Sequence, residues 1–144
     1  MRQFDDIEWY KVFEWSDNPF KIRPNPENIV GFVDMRTKIM TYMHSEDPFI
    51  VTGSTGAGKT TLLKWLKDQR KDTEYFNFLS DISEKGFKRK INGNIIERLV
   101  RRFSGRKKTV LIDEAQEMSP KLLKWVRGKY DSGEVSSLVL ASIQ

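Results

Sequence analysis

Eight consecutive residues, Gly53-Ser54-Thr55-Gly56-Ala57-Gly58-Lys59-Thr60, match the pattern G-x-x-x-x-G-K-[ST] in full. At this spacing the chemistry is capture of a nucleoside triphosphate. Glycines at 53, 56 and 58 admit backbone conformations that a Cβ forbids, so successive N–H groups can turn inward on an anion. Lys59 supplies a mobile positive charge for β- and γ-phosphates. The Thr60 hydroxyl is placed to ligand Mg²⁺, with Thr61 beside it in the same first helical turn.

A second chemical element lies downstream. Thr109-Val110-Leu111-Ile112 is a four-residue apolar or β-branched run that leads straight into Asp113-Glu114. A buried parallel strand of this kind delivers its carboxylates to the C-terminal edge of a sheet, where ligands bind in open α/β folds. There Asp113 would hold Mg²⁺ through its water shell, and Glu114 would polarise the water that attacks the γ-phosphorus. Because Mg²⁺ keeps most of its waters, Thr60 and one carboxylate suffice as protein ligands.

The elements needed to position these groups are present in order. Asp47-Pro48 signals a turn, and Phe49-Ile50-Val51-Thr52 reads as a buried strand feeding the glycine loop. After the loop, Leu62, Leu63, Trp65 and Leu66 recur at helical spacing, so the phosphates would face a helix N-terminus. Thr73 to Leu79 alternates as a second strand. Ile91, Ile95, Ile96, Leu99, Val100 and Phe103 form the apolar stripe of a helix that Gly105 ends; Asn92-Gly93-Asn94 leaves its start open. Ser119 as N-cap and Pro120 at the first position begin another helix, and Ser136 to Ile143 reads as a fourth strand. Trp65 and Trp125 fall on helical apolar stripes and are expected in the core.

Ahead of this core, residues 1–28 form an arm rich in aromatics (Phe4, Trp9, Tyr10, Phe13, Trp15, Phe20) and broken by Pro19, Pro24 and Pro26. The arm is expected to pack on the domain spanning 29–144, because six exposed aromatics would make a large adhesive patch. A helix is expected from about Val33 to Tyr42. His44, the one histidine, has no cysteine or carboxylate cluster around it and reads as a polar residue at a helix end.

With 144 residues the chain is long enough for one domain with a core and too short for two of ordinary size. No apolar run approaches the ~20 residues of a membrane span, and acidic Asp5, Asp6 and Glu8 near the start do not fit a signal peptide. A cytoplasmic location is expected. The absence of cysteine rules out disulfides and thiolate metal sites. A net charge of +5 is modest support for a polyanionic partner, and its distribution says more. Lys85, Lys88, Arg89, Lys90, Arg98, Arg101, Arg102, Arg106, Lys107 and Lys108 stand in one stretch against Glu97 alone.

Together the motifs resemble those of AAA+ ATPases, in the broad group containing origin-recognition initiators and the ATPases of bacterial transposition and type II secretion. The resemblance rests on Gly53 to Thr60 as Walker A, Val110 to Glu114 as Walker B, the continuation Asp113-Glu114-Ala115-Gln116, and Asn18-Pro19-Phe20 with Pro24 and Pro26. It implies a three-layer αβα P-loop NTPase fold with a mostly parallel sheet, truncated after the fourth core strand, and it implies ATP and Mg²⁺ as ligands. It implies an adenine pocket at Ile29, Val30 and Gly31, where Phe32 stands in place of the arginine of many relatives. It also implies a polar sensor of the γ-phosphate at the end of the fourth strand, at Gln144 or Ser142. A fifth strand, an arginine finger and a helical lid would follow in a full module, so the finger is expected from another copy or a partner, and hydrolysis by this chain alone is expected to be slow.

Two roles follow from these readings. One is an ATP-dependent switch acting on DNA, in replication initiation, transposition or plasmid or virus maintenance, with the basic stretch Lys85–Lys108 meeting phosphates. The other is a nucleotide-gated assembly factor of a secretion or membrane machine, without DNA binding.

Overall fold

The computed structural model describes residues 33–79 and 82–143, together with Lys11 and Glu14, and the side chains of 33, 34, 101 and 102 are outside that description. The base pocket expected at Ile29, Val30 and Gly31, the sensor candidate Gln144 and, apart from Lys11 and Glu14, the expected arm at 1–28 lie outside the described residues.

Helix α1 (Val33–His44) leads to β1 (Phe49–Thr52), the glycine loop and α2 (Lys59–Gln69). Then come β2 (Thr73–Asn77), α3 (Glu84–Asn92), α4 (Ile95–Ser104), β3 (Lys108–Asp113), a single 3₁₀ turn at Ala115–Glu117, α5 (Pro120–Asp131) and β4 (Val135–Ser142). The four strands form one sheet in the order β1-β4-β3-β2, and every pairing is parallel. Each strand therefore ends on the same edge. The glycine loop after β1 and the acidic pair at the end of β3 meet there, with the end of β4 between them.

Helices cover both faces of the sheet. On β3, Val110 and Ile112 point into a cluster with Phe76, Phe87, Leu122 and Val126, while the intervening Leu111 points the opposite way, toward Leu62, Leu63, Leu66 and Met43. Alternation of side chains along a strand buried on both sides thus makes two cores from one continuous apolar run. On one side Phe87 packs edge-on against Phe76 and Phe78 at ring-centroid distances of 4.5 and 5.2 Å. The result is a three-layer αβα domain.

Several local signals act as their chemistry predicts. The Ser119 hydroxyl accepts from Leu122 N–H at 3.3 Å with Pro120 in the first turn, and Gly105 closes α4 in the left-handed region at φ 65°. His44 is exposed at the end of α1, its Nδ1 2.6 Å from the Met40 carbonyl. Trp65 and Trp125 sit at the margins of the two cores, each half-buried, with Arg36 over the first ring and Lys88 and Lys129 over the second. The apolar stripe between Ser83 and Phe103 departs from expectation. It belongs to two helices, because Gly93 (φ 69°, ψ 175°) breaks the chain and Asn94 starts a new helix by capping Glu97 N–H at 2.7 Å. Ile91 is buried, whereas the five later apolar residues of the stripe are exposed.

Candidate active site

The glycine loop owes its shape to two left-handed residues, Gly56 at φ 81° and Gly58 at φ 84°. A side chain at either position would be strained, and the turn they make brings the chain into α2 with no side chain capping its first turn and no acid within it. A helix start of this kind carries partial positive charge and outward-facing N–H donors. Lys59 is 8% exposed, and its ammonium donates to the carbonyls of Gly53 (2.7 Å) and Ser54 (2.9 Å). Among the described residues no carboxylate lies within ion-pair distance of it. A nearly buried cation satisfied by carbonyl dipoles alone is poised for an anion.

Fifty-three positions downstream of Thr60, Asp113 is fully buried at the end of β3. Its Oδ2 accepts from the Thr60 hydroxyl at 2.6 Å and from the Tyr75 hydroxyl at 2.9 Å, and its Oδ1 accepts from Glu114 N–H at 3.2 Å. Thr60 gives its proton to Asp113 and so keeps oxygen lone pairs free for a hard cation. An oxygen-only donor pair beside a helix N-terminus fits Mg²⁺, which takes one or two protein oxygens and otherwise keeps water. Glu114 follows in the left-handed region (φ 54°, ψ 49°), a conformation that costs a non-glycine residue about 1–2 kcal/mol and that is concentrated at functional positions.

Two participants had been given no role at the site. Tyr75 arrives from β2, whose register sets Tyr75 against Leu111, two residues short of Asp113. Burial, and then the adjacent Asp113 carboxylate, push the Tyr75 phenol well above its ordinary pKa, so it stays a donor throughout the physiological range. Gln116, on the 3₁₀ turn, donates through Nε2 to Glu114 Oε2 while its Oε1 accepts from Ile143 N–H at 3.3 Å. It thereby links the acidic pair to the end of β4. The alternation of Thr73 to Leu79 could have singled out Tyr75 as a strand residue, but no local signal names its partner.

Of the expected site residues, Gly53 to Thr60, Thr61, Asp113 and Glu114 gather on one edge of the sheet. Ser142 is brought near as well: it pairs in register with Thr52, the residue before the loop, though its hydroxyl donates to the Ile143 carbonyl at 3.1 Å.

The fold and this edge define a P-loop nucleoside-triphosphatase domain. A family model described as an AAA domain matches residues 45–143, and the chain belongs to that family. Among solved structures, Thermotoga maritima RuvB (a K64R mutant) superposes with a TM-score of 0.52 at 11% identity, covering 85% of this chain and 42% of that one. C. elegans PCH-2 gives a TM-score of 0.46 at 18% identity, covering 82% of this chain and 40% of that one. The chain spans less than half the length of either structure, and the RuvB structure shares its fold. No curated protein matches it. Nothing in these comparisons singles out the origin-recognition group.

Proposed function

We propose that this chain binds Mg-ATP at the loop from Gly53 to Thr60 and hydrolyses the β–γ phosphoanhydride, using the energy for a conformational or assembly switch. The observation that carries the reading is the 2.6 Å contact between Thr60 Oγ1 and Asp113 Oδ2, which couples the two motifs into one site. In this reading the loop N–H groups and the α2 N-terminus hold the phosphates. Lys59 leaves its carbonyl partners to meet the β- and γ-oxygens. Thr60, and Asp113 through the water shell, would hold Mg²⁺, which would neutralise phosphate charge. Glu114 orients and deprotonates the attacking water, with Ser142 or Gln144 at the end of β4 as sensor.

Phosphate release from ATP by the purified chain, with Glu114→Gln as control, tests this. Mg²⁺-dependent phosphate release above the Glu114→Gln level supports the reading, and identical rates in both proteins would sink it.

For the target of the switch, DNA is the first reading, supported by the basic stretch from Lys85 to Lys108. Part of that charge is spent internally. Lys108 pairs with Glu74 at 2.7 Å, and Lys88 with Glu84 and Lys107 with Glu46 at 3.6 Å, leaving the exposed Lys85 and Arg89 of α3 as phosphate ligands. Titrating DNA affinity against salt decides: binding at low salt with a log–log slope of roughly −0.9 per phosphate contact supports the reading, and no binding at low salt, with or without ATP, removes it. The second reading, an assembly factor at a membrane or secretion machine, is favoured by the exposed apolar face of α4. Among the described residues no helix is long and apolar enough to cross a membrane.

A further inference from the structure

Helix α4 is preformed, and no described residue covers its apolar face. Its ends are fixed locally, by Asn94 at the start and Gly105 at the finish, and not by burial. Yet Ile95, Ile96, Leu99, Val100 and Phe103 are 75, 72, 51, 57 and 87% exposed. At 100° per residue these five positions span an arc of about 140°. Positions 98, 101 and 102, all arginine, fall outside that arc, and Arg106-Lys107 continue from the helix end. Glu97, the one acid of the helix, lies 3.9 Å from Lys108.

A contiguous apolar surface of this kind marks an interaction site. Candidate occupants differ in what they would cover. Duplex DNA would take the arginines and leave five large apolar side chains in water. A second α4 packed on the same face would bring two sets of arginines together along its margins, a like-charge arrangement that opposes pairing. A protein groove grips a narrow i, i+4, i+7 stripe, whereas the arc of α4 is wider than that: Ile96 and Val100 border a cleft with Thr73 and Glu74, and Ile95, Leu99 and Phe103 add to it a surface suited to a planar boundary. A broad apolar arc, a basic remainder and low net hydrophobicity are the properties of helices that lie in the headgroup region of a lipid surface, with arginine stems reaching back to anionic headgroups.

We propose that α4 docks this domain peripherally on an anionic lipid surface, burying Ile95, Leu99 and Phe103 at the acyl boundary while Arg98 and Arg106 meet headgroup phosphates and carboxylates. This attachment does not depend on the nucleotide site, so it stands or falls separately from the ATPase reading. One short helix gives reversible binding, and each basic residue at the surface adds roughly five-fold in affinity for anionic lipid at low salt.

The test is flotation of the full chain with phosphatidylcholine vesicles and with vesicles in which about one-third of the lipid is phosphatidylserine. The chain is expected to float with the anionic vesicles, at least ten-fold more weakly with the neutral ones, and less as salt rises. The double variant Leu99→Ser, Phe103→Ser changes only exposed positions and is expected to keep its circular dichroism and to lose at least ten-fold in vesicle affinity. A Phe103→Trp variant should show a blue-shifted emission on adding anionic vesicles. Absence of binding to anionic vesicles at low salt would overturn the proposal. Full binding by the double serine variant would do so too, since charge alone would then explain attachment. An oligomer that the serine variant dissociates would assign the face to a second copy instead.

Discussion

Removing one oxygen atom, in Tyr75→Phe, probes how Asp113 is held. Asp113 is fully buried and, among the described residues, pairs with no cation, and its charge is met by two hydroxyls and one backbone N–H. The phenol bond to Oδ2 is 2.9 Å long, and phenylalanine keeps the ring in place, so the change removes a donor and little else. A hydrogen bond to a charged group contributes ~1.5–3 kcal/mol. Because Tyr75 is only half-buried, water can replace part of it, which puts the expected loss near the lower bound, ~1.5 kcal/mol. For a domain of this size that corresponds to a fall in Tm of roughly 4–7 °C.

The assay is thermal or urea unfolding without nucleotide, run as a double-mutant cycle with Asp113→Asn. Neutralising Asp113 should shrink the cost of Tyr75→Phe by about 1 kcal/mol, since the surviving bond is then between neutral groups. The pH dependence carries a definite sign. The folded-state pKa of Tyr75 is raised above its unfolded value of 10.0, so its contribution is fully present below that pH and is lost as pH rises beyond it. Parent and Tyr75→Phe stabilities should therefore converge in alkali. A Tyr75→Phe protein within ~0.3 kcal/mol of the parent at pH 7, or a cycle without coupling, would refute the picture of Asp113 as a carboxylate held by this donor.

Other expectations follow from the same geometry. Glu114→Gln should leave nucleotide affinity within about two-fold and lower phosphate release by roughly 10²-fold or more, as read by single-turnover hydrolysis. Phe87→Ala empties a fully buried site among Phe76, Phe78 and Trp125 and should cost about 3–5 kcal/mol in urea unfolding. Ser119→Ala removes the cap of α5 and should cost about 1 kcal/mol by the same measurement, with nucleotide affinity unchanged.

What the sequence disclosed of this site was what is written locally. Gly53 to Thr60 is a continuous stretch whose backbone freedom, charge and hydroxyl are each set by residue type, and Val110 to Glu114 combines a strand with its terminal acids. The order of strand, loop and helix then fixed the fold class. Tyr75 stayed hidden because its bond to Asp113 joins residues 38 positions apart through strand register, which no spacing rule encodes. Gln116 could be placed next to the acids but not joined to Ile143, since that contact needs the end of β4 beside the 3₁₀ turn. The stripe from Ile91 to Phe103 was readable as amphipathic. Periodicity reports which residues share a face and not what covers it, and after Gly93 that face turns to solvent.

The central claim is that the loop and the acidic strand end make one Mg-nucleotide site. Equilibrium titration of a fluorescent ATP analogue, with Mg²⁺ and with EDTA, for the parent, Lys59→Ala and Asp113→Asn, tests it most directly. The account predicts saturable binding by the parent, loss of at least about 100-fold in Lys59→Ala, and a Mg²⁺ enhancement that Asp113→Asn abolishes. Equal affinity in all three proteins, or a parent indifferent to Mg²⁺, would contradict it.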